Sequence, residues 1–309
     1  MNPIRFVLIL LLVTTLPAQT AKQRPRILGV AHIAIFTSDL AKARTFYEDF
    51  LGYQEPFTLK RDDGSIRIVF VKINDKQYVE LFTDPPKEDG QLNHFAVYTD
   101  NAEQMRDYLS EHGIKVPATV AKGKTGNYNF TIQDPDGHTL EIVQYLSDSL
   151  TGRNQGKFAS SSRISSRIMH VGFLVRDLEA SMKFYRDLLG FQEFWRGSSN
   201  DTQLSWVNMR VPDGDDYVEF MLYTGTPSAQ ERGVKNHLSL EVPDTEKAVR
   251  DLEERPARKP YRREIKTQVG KNRKRQANLF DPDGTRVELM EPKTIDGQPA
   301  PSSTALPPQ

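Results

Sequence analysis

Four of the six histidines stand in apolar segments that read as strands: His32, His94, His170 and His237. Each is followed by a glutamate at the centre of another apolar segment: Glu80 in YVELF, Glu141 in TLEIV, Glu219 in YVEFM and Glu288 in RVELM. Alternate residues of a strand point to opposite faces. Glu80 therefore points away from Val79 and Leu81, and the other three glutamates follow the same parity. A carboxylate on such a face is costly to bury without a partner. A divalent cation removes that cost. Imidazole nitrogens and carboxylate oxygens suit Ni, Mn, Fe(II), Co or Zn. The chain has no cysteine, which excludes thiolate ligands, disulfides and cysteine nucleophiles. His112 reads as a helix-end residue and His138 as a solvent-facing strand residue.

The elements that must position these side chains are repeated. AHIAIFTSDLAKARTFYEDFLGYQE, from Ala31 to Glu55, is matched at an offset of 138 residues by MHVGFLVRDLEASMKFYRDLLGFQE, from Met169 to Glu193. Such self-similarity fixes the architecture. Each copy reads as a strand carrying one histidine, an Asp N-cap at Asp39 or Asp177, a helix of apolar period, and a Gly stop at Gly52 or Gly190. The plan recurs within each half. Leu92 to Tyr98 and Asn236 to Val242 are opening strands, Ala102 to Ser110 and Thr245 to Glu253 are helices, and each closing strand pair flanks a DPDG turn. Four strand-helix-strand-strand modules result.

Met1 to about Ala21 reads as a secretory signal peptide, with Arg5, an apolar run from Phe6 to Leu16, and small residues after it. The run is too short to span a bilayer comfortably, so no stable membrane span is expected after its removal. The expected organisation is a signal peptide at 1–21, a first domain at 27–146, a linker at 147–167, a second domain at 168–292 and a disordered Pro- and Ser-rich tail at 293–309. A pseudo-dimeric monomer is expected.

Basic and acidic residues balance at 41 each. Neither half has the basic face of a nucleic-acid binder, which leaves a small molecule as the expected partner. Arg255 to Arg275 holds ten basic residues against one acid, Glu264. This cluster is either a solvated loop or an anion-binding rim over a second site.

The opening-strand histidine, the FYxDxLG helix end (Phe46 to Gly52, Phe184 to Gly190) and DPDG before the glutamate strand together resemble the vicinal oxygen chelate superfamily. That superfamily includes glyoxalase I, extradiol dioxygenases and bleomycin resistance proteins. The resemblance runs from Ile27 to Pro292. It implies an α+β fold, in which four βαβββ modules form two glyoxalase-like domains with cupped mixed sheets. It also implies up to two divalent metals, one held by His32, Glu80, His94 and Glu141 and the other by His170, Glu219, His237 and Glu288. The metal would chelate two neighbouring oxygens of a small substrate and stabilise an enolate or oxyanion. One of Glu80, Glu141, Glu219 or Glu288 would leave the metal and act as base. The ligand order is most like bacterial glyoxalase I, which implies lyase or isomerase chemistry. The order His170, His237, Glu288 equally resembles the triad of extradiol ring-cleaving dioxygenases. A non-catalytic binding or resistance protein is the third reading.

The DPDG turns also give an expectation for the walls of the cups. Four-residue hairpin loops would place Gln133 opposite His138 and Phe280 opposite Thr285. Phe130 would then face Glu141, and Ala277 would face Glu288. Stepping by two adds Tyr128 to the first cup and Arg275 and Arg273 to the second. Tyr128, Phe130, Arg273 and Arg275 are thus the expected substrate-binding residues, with the second cup favouring the more anionic ligand.

Overall fold

The computed structural model describes residues 23–85 and 90–308. The expected signal peptide lies outside the described residues. No helix among those described is long and apolar enough to cross a membrane.

The first module is β1 (Ile27–Phe36), α1 (Leu40–Arg44) running on into a π-helical segment (Thr45–Phe50), β2 (Gln54–Lys60), β3 (Ile66–Lys72) and β4 (Tyr78–Phe82). The second is β5 (Leu92–Thr99), α2 (Ala102–Glu111), β6 (Ala121–Lys122), β7 (Tyr128–Gln133) and β8 (Thr139–Gln144). After α3 (Leu150–Arg153) the plan repeats. The third module is β9 (Ile168–Val175), α4 (Leu178–Met182) with its π-helical continuation (Lys183–Leu188), β10 (Gln192–Ser198), β11 (Leu204–Arg210) and β12 (Tyr217–Leu222). The short α5 (Ala229–Lys235) leads into β13 (His237–Glu241), α6 (Thr245–Glu253), β14 (Thr267–Val269), β15 (Lys274–Phe280) and β16 (Arg286–Thr294).

Each half forms one 8-stranded mixed sheet, ordered β2-β3-β4-β1-β5-β8-β7-β6 and β10-β11-β12-β9-β13-β16-β15-β14. In each module the opening strand runs parallel to the closing one, as β1 does beside β4. The two modules of a half join through their opening strands, β1 antiparallel to β5 and β9 antiparallel to β13. Modules therefore pair within each half, and the two opening-strand histidines of a half meet at its centre. The fold is the expected α+β pair of glyoxalase-like domains.

The helices start where the sequence places caps. Asp39 accepts from the Lys42 amide and Asp177 from the Ala180 amide, each cap being worth about 1 kcal/mol. Gly52 and Gly190 end the helical segments at φ of 82° and 79°, where a side chain would be strained. The π-helical turns leave adjacent aromatics buried together, Phe46 with Tyr47 and Phe184 with Tyr185.

One apolar core is shared by both halves. Phe95 and Phe173 stack across it at 4.6 Å between ring centroids. Gln77 bonds Ile168 through both ends of its amide, at 2.8 and 2.9 Å. Asp216 accepts from the Val30 amide and pairs with Arg167. The segment at 147–167, expected to be a plain linker, carries α3 and is tied to the first half: buried Lys72 donates to the carbonyls of Asn154 and Lys157. The tail, expected to be disordered from 293, continues β16 to Thr294 and then follows the second half. The Leu204 amide bonds the Leu306 carbonyl, and the Trp195 indole donates to the Pro301 carbonyl. The Leu204 amide at the start of β11 and the Trp195 indole would otherwise be unpaired, which gives the tail its course.

Candidate metal centre

β1 and β5 carry His32 and His94 to neighbouring positions, and β8 adds Glu141 from the strand beside β5. The parity argument explains the direction: Val79, Leu81, Leu140 and Ile142 are buried in the shared core while Glu80 and Glu141 face the opposite, cupped side. His32 Nε2 lies 2.9 Å from His94 Nε2 and 3.1 Å from Glu141 Oε2. His94 Nε2 lies 2.9 Å from the same carboxylate oxygen.

The hydrogen bonds around this triangle fix what its corners present. His94 Nδ1 donates to Asn93 Oδ1 at 2.8 Å, so its Nε2 turns a lone pair to the centre. Asn129 donates to the other oxygen of Glu141. Glu80 Oε1 stands 3.5 Å from His32 Nδ1, on the far side of that ring. Two imidazole nitrogens and a carboxylate oxygen converging on one point suit a shared cation. His32, His94 and Glu141 thus form a group able to hold a metal ion, and Glu80 stands beside it.

Burial and charge are uneven here. Burial, then the charge of Glu141, push Glu80 well above the usual carboxylate range. Burial alone would raise Glu141, but its close approach to His32 and His94 outweighs that and holds it low. Burial lowers His32 despite Glu141. The cavity over the triad has a volume of about 460 Å³. Leu59, Phe70, Tyr78, Phe82 and Tyr145 make its apolar wall, and Asn129, Thr131, Arg67 and Lys124 its polar one.

The second half assembles the same residue types with different spacing. His170 Nε2 is 3.1 Å from His237 Nε2 and 3.5 Å from Glu288 Oε2. These three form the second group able to hold an ion. Glu219 Oε2 lies 3.5 Å from His237 Nε2 and 3.9 Å from His170 Nε2. His237 Nδ1 donates to the Lys235 carbonyl. An Arg286 N–H donates to His237 Nε2 at 2.7 Å. Burial, then the Arg286 charge, hold both histidines well below their ordinary value. Burial and the Glu288 charge raise Glu219 to about 8, and burial raises Glu288. The cavity over this group is about 70 Å³.

The expected wall residues are placed otherwise. Gln133 pairs with Thr139 and Phe280 with Arg286. The Asp134 amide bonds the His138 carbonyl, and the Asp281 amide bonds that of Thr285, so each loop is one residue longer than a four-residue turn. That shift flips every side chain of β7 and β15. Thr131 faces Glu141 and Asn278 faces Glu288. Phe130 is buried in the core. Tyr128 is 37% exposed, beneath the ammonium of Lys122. Arg275 pairs with Glu246 of α6, and Arg273 with Asp296. Neither arginine lines the second cavity, while Arg286, Gln276, Lys271 and Trp206 do. The basic cluster is divided: Arg255 donates to the Phe50 and Ser162 carbonyls and Arg258 pairs with Glu253, while Lys271 reaches the second cavity.

Comparison with known proteins fits this architecture. The family model of the Glyoxalase/Bleomycin resistance protein/Dioxygenase superfamily matches residues 29–142 and again 167–289. The uncharacterized protein YwkD of Bacillus subtilis is 30% identical over 124 residues, covering 38% of this chain and 96% of that protein. The uncharacterized protein YaeR of Escherichia coli is 28% identical over 123 residues, covering 37% and 95%. Among solved structures, homoprotocatechuate 2,3-dioxygenase of Brevibacterium fuscum, in its complex with 3,4-dihydroxyphenylacetate, superposes with a TM-score of 0.65. The identity is 19%, over 94% of this chain and 88% of that one. The Arthrobacter globiformis enzyme of the same name gives a TM-score of 0.65 at 18% identity, over 92% and 85%. These two share the fold. With both halves matched by one family model, the chain belongs to the Glyoxalase/Bleomycin resistance protein/Dioxygenase superfamily.

Proposed function

We propose that the protein is a metal-dependent enzyme acting on a small oxygenated molecule in the first cup, with His32, His94 and Glu141 holding a divalent ion. The observation that carries this reading is the convergence of His32 Nε2, His94 Nε2 and Glu141 Oε2 within about 3 Å of one another beneath an open cavity. A divalent ion supplies Lewis-acid stabilisation of negative charge on a substrate oxygen. The chain's own residues do the rest. Asn129 orients Glu141 through its free oxygen, and Asn93 sets the tautomer of His94. Glu80, outside the triad and facing the cavity, is the carboxylate placed to hold a proton moved on the substrate. Phe70, Phe82 and Tyr145 exclude water around it.

Proton transfer by a carboxylate supports lyase or isomerase chemistry of the glyoxalase kind. One observation favours a second reading: the compact group is two histidines and one glutamate, the composition of the facial triad of iron oxygenases. The first cavity holds no histidine beyond His32 and His94 among the described residues, so ring cleavage there would have to use Glu80 or Tyr145 as its acid-base group. The N-terminal Arg5 and the run Phe6 to Leu16 support export of the mature chain.

The test is reconstitution of the purified protein with Ni, Mn, Fe(II), Co or Zn, followed by turnover assays on hydroxyketones, aldehydes and catechols. Turnover that disappears in His32→Ala and Glu141→Ala together with the metal is the expected result. Protein that holds metal in the first cup yet turns over none of these classes would overturn the enzyme reading in favour of a binding protein.

A further inference from the structure

The two cups are not equivalent, and the difference lies in their charge. Counting from the two DPDG turns, Thr139 and Arg286 occupy matching places two residues before Glu141 and Glu288. Alternate strand residues share a face, so both side chains belong to the cup side. In the first half the position is filled by threonine, which bonds Gln133. In the second, the guanidinium reaches the floor and donates to His237 Nε2, at 2.7 Å. That nitrogen is the one a metal would need. The same count pairs Asn127 of the first cup with Lys274 of the second. Arg286 and Lys274 both act electrostatically on Glu219 and Glu288.

We propose that Arg286 is a built-in cation that takes the place of a metal in the second cup, so that the protein binds one divalent ion per chain, in the first cup only. The charge around the carboxylates distinguishes the two cups. Arg286 lines the second cup with Glu219 and Glu288, and Lys274, in the wall of the neighbouring cavity, adds a second positive charge that acts on them. The carboxylates of the first cup, Glu80 and Glu141, are paired with His32 and His94, while Arg67 in the wall of that cavity is paired with Asp84. A buried pair of carboxylates without fixed cations suits a divalent ion, and a pair already neutralised does not. Space agrees with charge. Trp195, Trp206, Met290 and the Gly270–Asn272 turn close the second cavity to about 70 Å³, against about 460 Å³ for the first. The C-terminal segment holds this closure, since Trp195 donates to the Pro301 carbonyl. The assignment also explains the direction of the Arg286 hydrogen bond: the Lys235 carbonyl takes the Nδ1 proton, leaving Nε2 as the acceptor.

The occupancy of the first cup rests on the function proposed above, and the experiment separates the two claims. Cobalt(II) is titrated into the metal-free full-length protein, with stoichiometry read by elemental analysis after gel filtration and by the cobalt absorption bands. Wild type is expected to hold one equivalent, His32→Ala none, and Arg286→Thr two. Two equivalents in wild type overturn the inference and leave the first-cup reading standing, whereas one equivalent in both wild type and His32→Ala overturns both. No cobalt in wild type overturns the first-cup reading, and the inference then stands only if Arg286→Thr gains an equivalent. Should Arg286→Thr fail to fold, Thr139→Arg decides: a guanidinium grafted into the first cup is expected to expel its cobalt, and retention at wild-type affinity overturns the inference.

Discussion

The Tyr185 hydroxyl of the second half donates to Asp134 of the first at 3.0 Å, and the Tyr47 hydroxyl of the first half reaches Asp281 of the second at 3.4 Å. The first aspartate of each DPDG turn is thus bonded by the tyrosine of the other half's FY pair. The second aspartate follows suit. Asp136 accepts from the Arg176 amide, and Asp283 from the Ser38 amide and the Thr37 hydroxyl. The two most specific motifs of the sequence therefore bind each other crosswise, and each hairpin that carries a triad glutamate is anchored by the opposite half.

Tyr185→Phe should lower the unfolding free energy by roughly 1–2 kcal/mol, because a buried carboxylate loses a donor. Urea denaturation measures it. An unchanged midpoint would mean that the crosswise bond contributes nothing to stability.

Burial lifts Asp281 from its ordinary 3.8 to about 7. The native state then keeps a proton that the unfolded chain releases near pH 4. This contribution is complete below about pH 4 and declines as pH rises to about 7, by at most ~4 kcal/mol at 1.36 kcal/mol per pH unit. Asp281→Asn should remove that slope. Unfolding free energies of the two proteins at several pH values, subtracted, test it, and parallel curves between pH 4 and 7 would refute it.

Glu80→Gln should leave the metal content of the first cup unchanged and lower kcat by about 10²–10⁴-fold, the usual contribution of a general base. Elemental analysis and steady-state kinetics on whichever substrate class is turned over decide it. Loss of the metal would show instead that Glu80 is a ligand.

Gly172 lies where an added Cβ would come within 1.9 Å of His237 Cε1. Gly172→Ala should destabilise the protein by about 1–3 kcal/mol through overpacking and leave first-cup metal affinity as it was. Thermal melts and a cobalt titration give the two readings. A full-stability variant would mean that His237 has room to move.

The cup side of each glutamate was legible because strand parity is a strict period of two, and the four copies agree. The order of modules was legible from repetition alone. The walls were not, and one residue accounts for it: the extra position in each DPDG loop turned Phe130 into the core and brought Asn129 and Thr131 into the cup. No local signal distinguishes the two loop lengths. Arg286 stands two residues before Glu288 on the same strand, so parity puts it on the cup side, but nothing local shows that it reaches His237. β2 leaves no strand pattern in the sequence because Pro56 interrupts it and most of its residues are only half-buried, as an edge strand allows.

The segment at 147–167 joins two halves that stand to one another as two subunits of a symmetric dimer would. In a dimer of identical chains every substitution appears in both cups. A single chain is free of that constraint: position 139 holds threonine while its counterpart at 286 holds arginine. Joining the halves has made the two cups separately mutable, so one can become a strut while its twin keeps an open floor.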